Sequence, residues 1–194
     1  MVTHTIPAEE TPVIKQHRIP EPCTVIVFGA AGDLVIRKLM PSLFHLTRGE
    51  HLPEQMLFIG VDRVDTNTEA YRKEVAKGQA RAPGLQTMML PKPKDWDAFL
   101  KNVHYFRCDL AQPKELASLG EYVDKLEKEQ GITRRRVFYL SLPPSVFPVA
   151  LKSLNEAKLV GASTRGPNSW SRVIIEKPFG RDLESAQKLN TLIK

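Results

Sequence analysis

The sequence predicts an α/β fold, a doubly wound parallel sheet of the Rossmann-like kind. Three observations carry this. Short apolar runs alternate with helical patterns along the chain. The runs are continuous rather than alternating, as strands buried on both faces require. The first run ends in a glycine-rich turn that leads into a helical pattern, Gly29-Ala30-Ala31-Gly32-Asp33-Leu34. A strand–helix alternation of this kind closes into a parallel sheet with helices on both faces.

The elements follow in order. Residues 1–23 hold four prolines and mixed charges and predict a flexible tail, with the domain running over 24–194. Thr24–Phe28 is the first strand. The helix after it shows Leu34, Leu39, Leu43 and Leu46 on one side, and Pro41 must break or restart it, since proline lacks an N–H and clashes with the preceding turn. Leu57–Val61 is the second strand. Asp65 to about Lys77 reads as a helix opened by a polar stretch. Residues 78–100 read as loops around short helical pieces, punctuated by Ala82-Pro83-Gly84 and Pro91-Lys92-Pro93. Val103–Cys108 is the third strand. Pro113 suits a first helical position, and the helix it opens closes at Gly131. Val137–Leu142 is the fourth strand, stopped by Pro143-Pro144. Val146, Phe147, Ala150, Leu151 and Leu154 outline a helix, and 161–169 a polar loop. Arg172–Glu176 is the fifth strand, and Asp182 starts a last helix through Leu183, Ala186, Leu189 and Leu192.

Composition narrows the function classes. A chain of 194 residues, 42% apolar and 26% charged, suits one well-buried domain. No apolar run reaches the roughly 18–20 residues that span a bilayer, so no membrane partner is expected. Cys23 and Cys108 form no CxxC pair, and the five histidines lack metal-ligand spacing. A reducing compartment, the cytoplasm, fits best. The net charge of +6 could attract nucleic acid, but the basic residues are dispersed. The densest run, Arg134-Arg135-Arg136, reads as a solvated loop, and nucleic acid is not expected as a partner.

The candidate site begins at Gly29-x-x-Gly32. Glycine lets the chain turn sharply and lets backbone approach a pyrophosphate with no side chain between. The N–H groups at the start of the following helix then bind the anion. Without a ligand the same pattern is an ordinary strand–helix turn. Arg37 and Lys38 add cationic reach, or form a solvated helix face. After the second strand stand Asp62 and Arg63. An acid at that place binds ribose hydroxyls of NAD, and an arginine meets the 2′-phosphate of NADP. The residues leave the choice open, with Arg63's bidentate fork favouring NADP.

Three segments together resemble one family. Gly29-Ala30-Ala31-Gly32-Asp33-Leu34-x-x-Arg37-Lys38-Leu39-x-Pro41 resembles the GASGDLAxRKLxPAL signature of glucose-6-phosphate dehydrogenases. Tyr139–Pro144 is similar to their FYLALPP segment. Ile175-Glu176-Lys177-Pro178-Phe179-Gly180-Arg181-Asp182-Leu183 fits their EKPFGxDL motif at every fixed position.

The resemblance implies oxidation of glucose 6-phosphate at C1 to the lactone, with hydride transfer to NADP, the first step of the pentose phosphate pathway. It implies a coenzyme loop of Gly29, Ala30, Ala31, Gly32, Asp33 and Leu34, with Arg63 facing the 2′-phosphate. Lys177 would contact both the sugar phosphate and the nicotinamide side, next to Pro178, whose preceding peptide bond is a candidate for cis. The sequence departs from the pattern at Val35-Ile36, where a small residue and a lysine are usual, at Ala31 in place of serine, and at Asp62.

The family's RIDHYLGK segment, with its catalytic histidine, and the large second domain are not in this sequence. A catalytic residue is therefore not expected in the chain, because hydride transfer needs a base for the hydroxyl proton and His104 stands in a different context. The chain alone is expected to bind coenzyme without turnover, and homo-oligomers are expected through the second domain. The competing expectations are a non-enzymatic NAD(P)-binding redox-sensing module, which leaves Glu176–Gly180 unexplained, and a different sugar dehydrogenase or reductase.

Overall fold

The computed structural model describes residues 19–79, 93–160 and 168–177, and positions 183, 184, 187, 190 and 191, which are helical. The predicted tail up to residue 18, the loops over 80–92 and 161–167, and Pro178 to Asp182 lie outside the described residues. So do Ala186, Leu189 and Leu192.

Five strands form one parallel sheet: β1 (Thr24–Phe28), β2 (Leu57–Asp62), β3 (Val103–Arg107), β4 (Arg135–Leu140) and β5 (Trp170–Ile175). Their order is β3-β2-β1-β4-β5. The chain first builds outward from β1 to β3, then crosses back to lay β4 on the other side of β1. That reversal opens a crevice beyond the carboxyl ends of β1 and β4.

β1 is buried along its whole length because both sheet faces are covered. Ile26 and Phe28 pack on one side with α4 (Pro113–Gln130) and α5 (Phe147–Glu156), through residues such as Leu116, Leu119 and Leu154. Val25 and Val27 pack on the other, with Met40, Phe44, Trp96 and Phe99. Those residues come from α1 (Met40–Arg48) and α3 (Pro93–Lys101), and the same side carries α2 (Thr68–Gln79). Phe44 and Trp96 stack with centroids 4.0 Å apart and join α1 to α3.

The helix after β1 differs from its expected face. Val35, Met40, Pro41 and Phe44 are the buried residues, whereas Leu34 and Leu46 are exposed. The cause is a π-helical turn over Val35–Leu39, closed by Met40 N–H donating to the Val35 carbonyl. Pro41 cannot donate, and a tight α-turn would press its ring on the preceding carbonyls, so the wider turn absorbs it. The α-helix then restarts with proline in its first turn. The wider turn shifts the phase, so that Leu34 and Leu46 face solvent while Leu39 and Leu43 stay half-buried against the core.

β4 starts earlier than expected, and Arg134–Arg136 is not a solvated loop. Arg136 is 1% exposed and lies within the strand. Its guanidinium donates to both carboxylate oxygens of Glu127 and to Asp124. Arg134 pairs with Asp124 at 3.6 Å and Arg135 with Glu21 at 3.2 Å. Burial disfavours the Arg136 charge, but hydrogen bonds and Coulomb attraction from Glu127 and Asp124 outweigh it and hold its pKa above the ordinary value. α2 begins at Thr68, with Asn67 accepting from the Ala70 amide as its cap. α4 ends at Gly131, in the left-handed region at φ 67°.

Candidate functional site

The chain leaves β1 through Gly29, whose φ of 77° belongs to the left-handed region. Glycine is required there on two counts. A side chain would be strained, and its Cβ would lie 2.1 Å from the Ser141 carbonyl oxygen just past β4. The loop is then tied down from several sides. The Gly29 and Ala30 amides both donate to the Val61 carbonyl, at 3.0 and 3.2 Å. Gly32 donates back to Gly29 at 3.0 Å, and Ile36 donates to Gly32 at 3.1 Å. Helical structure begins directly after Gly32. Asp33 and Leu34 thus carry N–H groups with no preceding turn to accept them. Such a cradle of exposed backbone, with the positive end of a helix behind it, suits a pyrophosphate.

Ala30 is fully buried and the residues after it face outward. Tyr71 of α2 lies beneath the loop and its hydroxyl donates to the Ala30 carbonyl at 3.3 Å. The Tyr71 ring lies over Gly60 in the middle of β2, where a Cβ would come within 2.7 Å of it. Burial holds the Tyr71 hydroxyl well above its ordinary pKa, with the Tyr105 and Asp62 charges adding to the shift. Tyr105 packs against Tyr71, centroids 5.0 Å apart, and donates to the Val64 carbonyl at 2.7 Å. Burial, then Asp62, pushes the Tyr105 hydroxyl up to about 12. Both tyrosines therefore act as neutral donors that brace the turns above them.

Asp62 is the last residue of β2, and Arg63 follows it, exposed. The Asp62 carboxylate reaches over to the glycine loop: the Ala31 amide donates to Oδ2 at 3.0 Å, and the Arg63 amide donates to Oδ1 at 2.7 Å. Arg37 pairs with Asp33 at 3.1 Å on the helix surface. Lys38 is exposed.

At the other end of the crevice, Lys177 follows β5 and is exposed. Its neighbour Glu176 accepts a short hydrogen bond from the Tyr139 hydroxyl across the β4–β5 pair. Burial, then the bond to Glu176, pushes the Tyr139 hydroxyl up to about 12. Pro178 lies outside the described residues.

Because all strands are parallel, the Gly29 loop, Asp62-Arg63 and Lys177 come to one edge of the sheet. From β2 to β5 is three strand spacings, roughly 14 Å. An extended ligand laid along that edge would have its phosphates at Gly29–Gly32, one end near Arg63 and the other near Lys177. His104, in the interior of β3, is not part of this edge. Burial, then Arg72, lowers its pKa.

The bracing tyrosines were not among the residues singled out from sequence. Gly60 was the available signal, since a glycine inside a strand marks a close approach.

Comparison with known proteins agrees with this geometry. The family model for "Glucose-6-phosphate dehydrogenase, NAD binding domain" matches residues 26–194. Glucose-6-phosphate 1-dehydrogenase of Chlamydia pneumoniae is 37% identical over 172 residues, which cover 89% of this chain and 33% of that protein. The Bacillus subtilis enzyme of the same name is 34% identical, covering 88% of this chain and 32% of its own length. A solved glucose-6-phosphate dehydrogenase in complex with its substrate glucose-6-phosphate superposes with a TM-score of 0.72 at 30% identity, covering 90% of this chain and 34% of that one. This chain thus spans about a third of the length of its relatives. Fold, loop and family match together place the chain in the glucose-6-phosphate dehydrogenase family, as its dinucleotide-binding domain.

Proposed function

We propose that this chain is the coenzyme-binding portion of a cytoplasmic glucose-6-phosphate 1-dehydrogenase, its domain running over 24–194 with Glu21 and the buried Cys23 docked against it. One observation carries the reading: the Gly29–Gly32 turn sits at the switch point of a parallel sheet and opens into a helix, beside an exposed arginine at the tip of β2. The coenzyme is NADP. Its pyrophosphate lies on the backbone of Gly29, Ala30, Ala31, Gly32, Asp33 and Leu34, and Arg63 meets the 2′-phosphate with its planar fork.

NADP accepts the hydride from C1 of glucose 6-phosphate. Lys177 stands at the nicotinamide end, where its ammonium donates to a substrate oxygen, and the Tyr139–Glu176 bond fixes the turn that carries it. No described residue serves as the base for the C1 hydroxyl proton, and this chain alone binds coenzyme without turnover. Buried, unpaired Cys23 and Cys108 suit the reducing cytoplasm. The longer enzyme assembles as a homo-oligomer through its other domain.

Titration calorimetry with NADP tests the reading. The chain binds NADP, and Arg63→Ala weakens binding roughly tenfold, the worth of a charge-assisted contact. Steady NADPH formation from glucose 6-phosphate by the chain alone, or unaltered NADP affinity in Arg63→Ala, contradicts it.

A further inference from the structure

The amides of the glycine turn are already engaged inside the protein. Gly29 and Ala30 donate to Val61, Gly32 donates to Gly29, and Ala31 donates to the Asp62 carboxylate at 3.0 Å. The peptide joining Ala30 to Ala31 is held at both ends, by two different elements. In an ordinary trans peptide the carbonyl and the N–H point opposite ways. Here the carbonyl, on fully buried Ala30, accepts from the Tyr71 hydroxyl of α2 at 3.3 Å, and the N–H donates to Asp62 at the end of β2. Rotating that peptide plane breaks both bonds together and strands a buried carbonyl.

Tyr71 has little freedom of its own. Its ring is 3% exposed and lies over Gly60, where a Cβ would come within 2.7 Å of it. Its helix is pinned to the sheet edge. The Thr68 hydroxyl accepts from the Tyr105 amide at 3.1 Å, and Arg72 donates to the Val103 and Lys101 carbonyls at 2.7 and 2.8 Å. Further along α2, Gly78 lies against Ile36, whose carbonyl oxygen a Cβ would meet at 2.2 Å. α2 therefore supports the site's backbone twice, at the glycine turn through Tyr71 and at the π-helical turn through Gly78.

We propose that Tyr71 is a positioning residue for the coenzyme: with Asp62 it locks the Ala30–Ala31 peptide, so that the turn meets NADP already in its bound conformation. This rests on the dinucleotide-site reading above and deepens it. A turn fixed in advance loses less freedom on binding, and the affinity scales with the fraction of molecules that hold the competent form.

The test uses this chain as wild type, Tyr71→Phe and Val75→Ala. Tyr71→Phe keeps the ring and removes only the hydroxyl. Val75 is a fully buried core residue of the same helix, and its truncation lowers stability without touching the turn. Each protein is titrated with NADP by calorimetry, unfolded in urea, and followed by amide hydrogen exchange. Tyr71→Phe is expected to weaken NADP roughly fivefold, the worth of one buried hydrogen bond. It should also speed exchange of the Ala31 amide severalfold relative to the amides of β1, although it alters neither that amide nor its acceptor. Val75→Ala should lower the urea midpoint further and keep the wild-type NADP affinity.

Wild-type affinity in Tyr71→Phe, or unchanged Ala31 exchange, overturns the assignment and leaves the dinucleotide reading intact. Affinity that falls in step with stability in both variants overturns it too, since Tyr71 is then an ordinary core residue. Failure of the wild type to bind NADP overturns the dinucleotide site itself and this assignment with it.

Discussion

Gly29→Ala replaces a hydrogen with a methyl group at the most constrained point of the candidate site. The backbone there has φ 77°, and the added Cβ would meet the Ser141 carbonyl oxygen at 2.1 Å and its carbon at 3.1 Å. Two costs follow. Holding an L-residue in the left-handed region costs roughly 1–2 kcal/mol. The clash is with backbone, so it is relieved only by parting the ends of β1 and β4. That parting breaks the bond from the Ser141 amide to the Phe28 carbonyl, now 3.0 Å. Losing that bond costs about 1 kcal/mol more. The sum is about 2–3 kcal/mol, or a fall in Tm of roughly 4–12 °C for a chain of this size.

Gly131→Ala is the control. Its φ is 67°, but nothing lies within 4 Å of the added atom. It should show only the backbone cost of about 1–2 kcal/mol. Urea denaturation of both variants, with NADP titration of each, reads the difference. Gly29→Ala should be the less stable of the two and should lose NADP binding, while Gly131→Ala keeps it. Equal stability of the two variants, or retained binding in Gly29→Ala, would refute the close approach on which the loop geometry depends.

Other consequences are measurable. Glu127→Ala strips the main partner from a buried Arg136 and should cost about 3–5 kcal/mol, whereas the double change Glu127→Leu/Arg136→Met should recover most of it. Equal losses in both would show that the cluster is not a coupled pair. Gly60→Ala should push the Tyr71 ring off β2 and cost roughly 1–3 kcal/mol by chemical denaturation, and wild-type stability would contradict the packing.

Stability should fall at alkaline pH. Burial pushes the Cys108 thiol from its ordinary 9.0 up to about 12. The folded chain therefore holds a proton that the unfolded chain releases, so the contribution is complete below about pH 9 and is lost as pH rises toward 12. Urea midpoints measured across that window should decline less steeply in Cys108→Ala, and identical slopes would count against a buried thiol.

β1 was legible to the residue because every side chain in Thr24–Phe28 is buried, and a continuous apolar run is the direct signature of that state. The glycine turn was legible for a similar reason: its requirement is local. What sequence missed depends on contacts between distant residues. The start of β4 was obscured because Arg135 and Arg136 are charged. Only the fold brings Glu127 and Asp124 to Arg136, and a buried arginine is tolerated only with such partners. The face of the first helix was right at Leu39 and Leu43 and wrong at Leu34 and Leu46, because periodicity assumes an unbroken α-helix and the π-turn before Pro41 changes the phase. Asp62 stood out beside Arg63, but its bond to Ala31 spans 31 residues, and no pattern in the chain announces it.

The central claim is that the glycine turn, at the tip of β1, lets a dinucleotide approach its backbone and presents to it the amides of Asp33 and Leu34 at the start of the helix. Amide NMR spectra of the chain titrated with NADP test it most directly. The largest shifts should fall on Gly29 to Leu34 and on Asp62 to Val64, because that backbone lies beside the pyrophosphate and ribose. Shifts confined to the opposite edge, around Phe44, Asp95 and Asn102 where a second cleft opens, would contradict it.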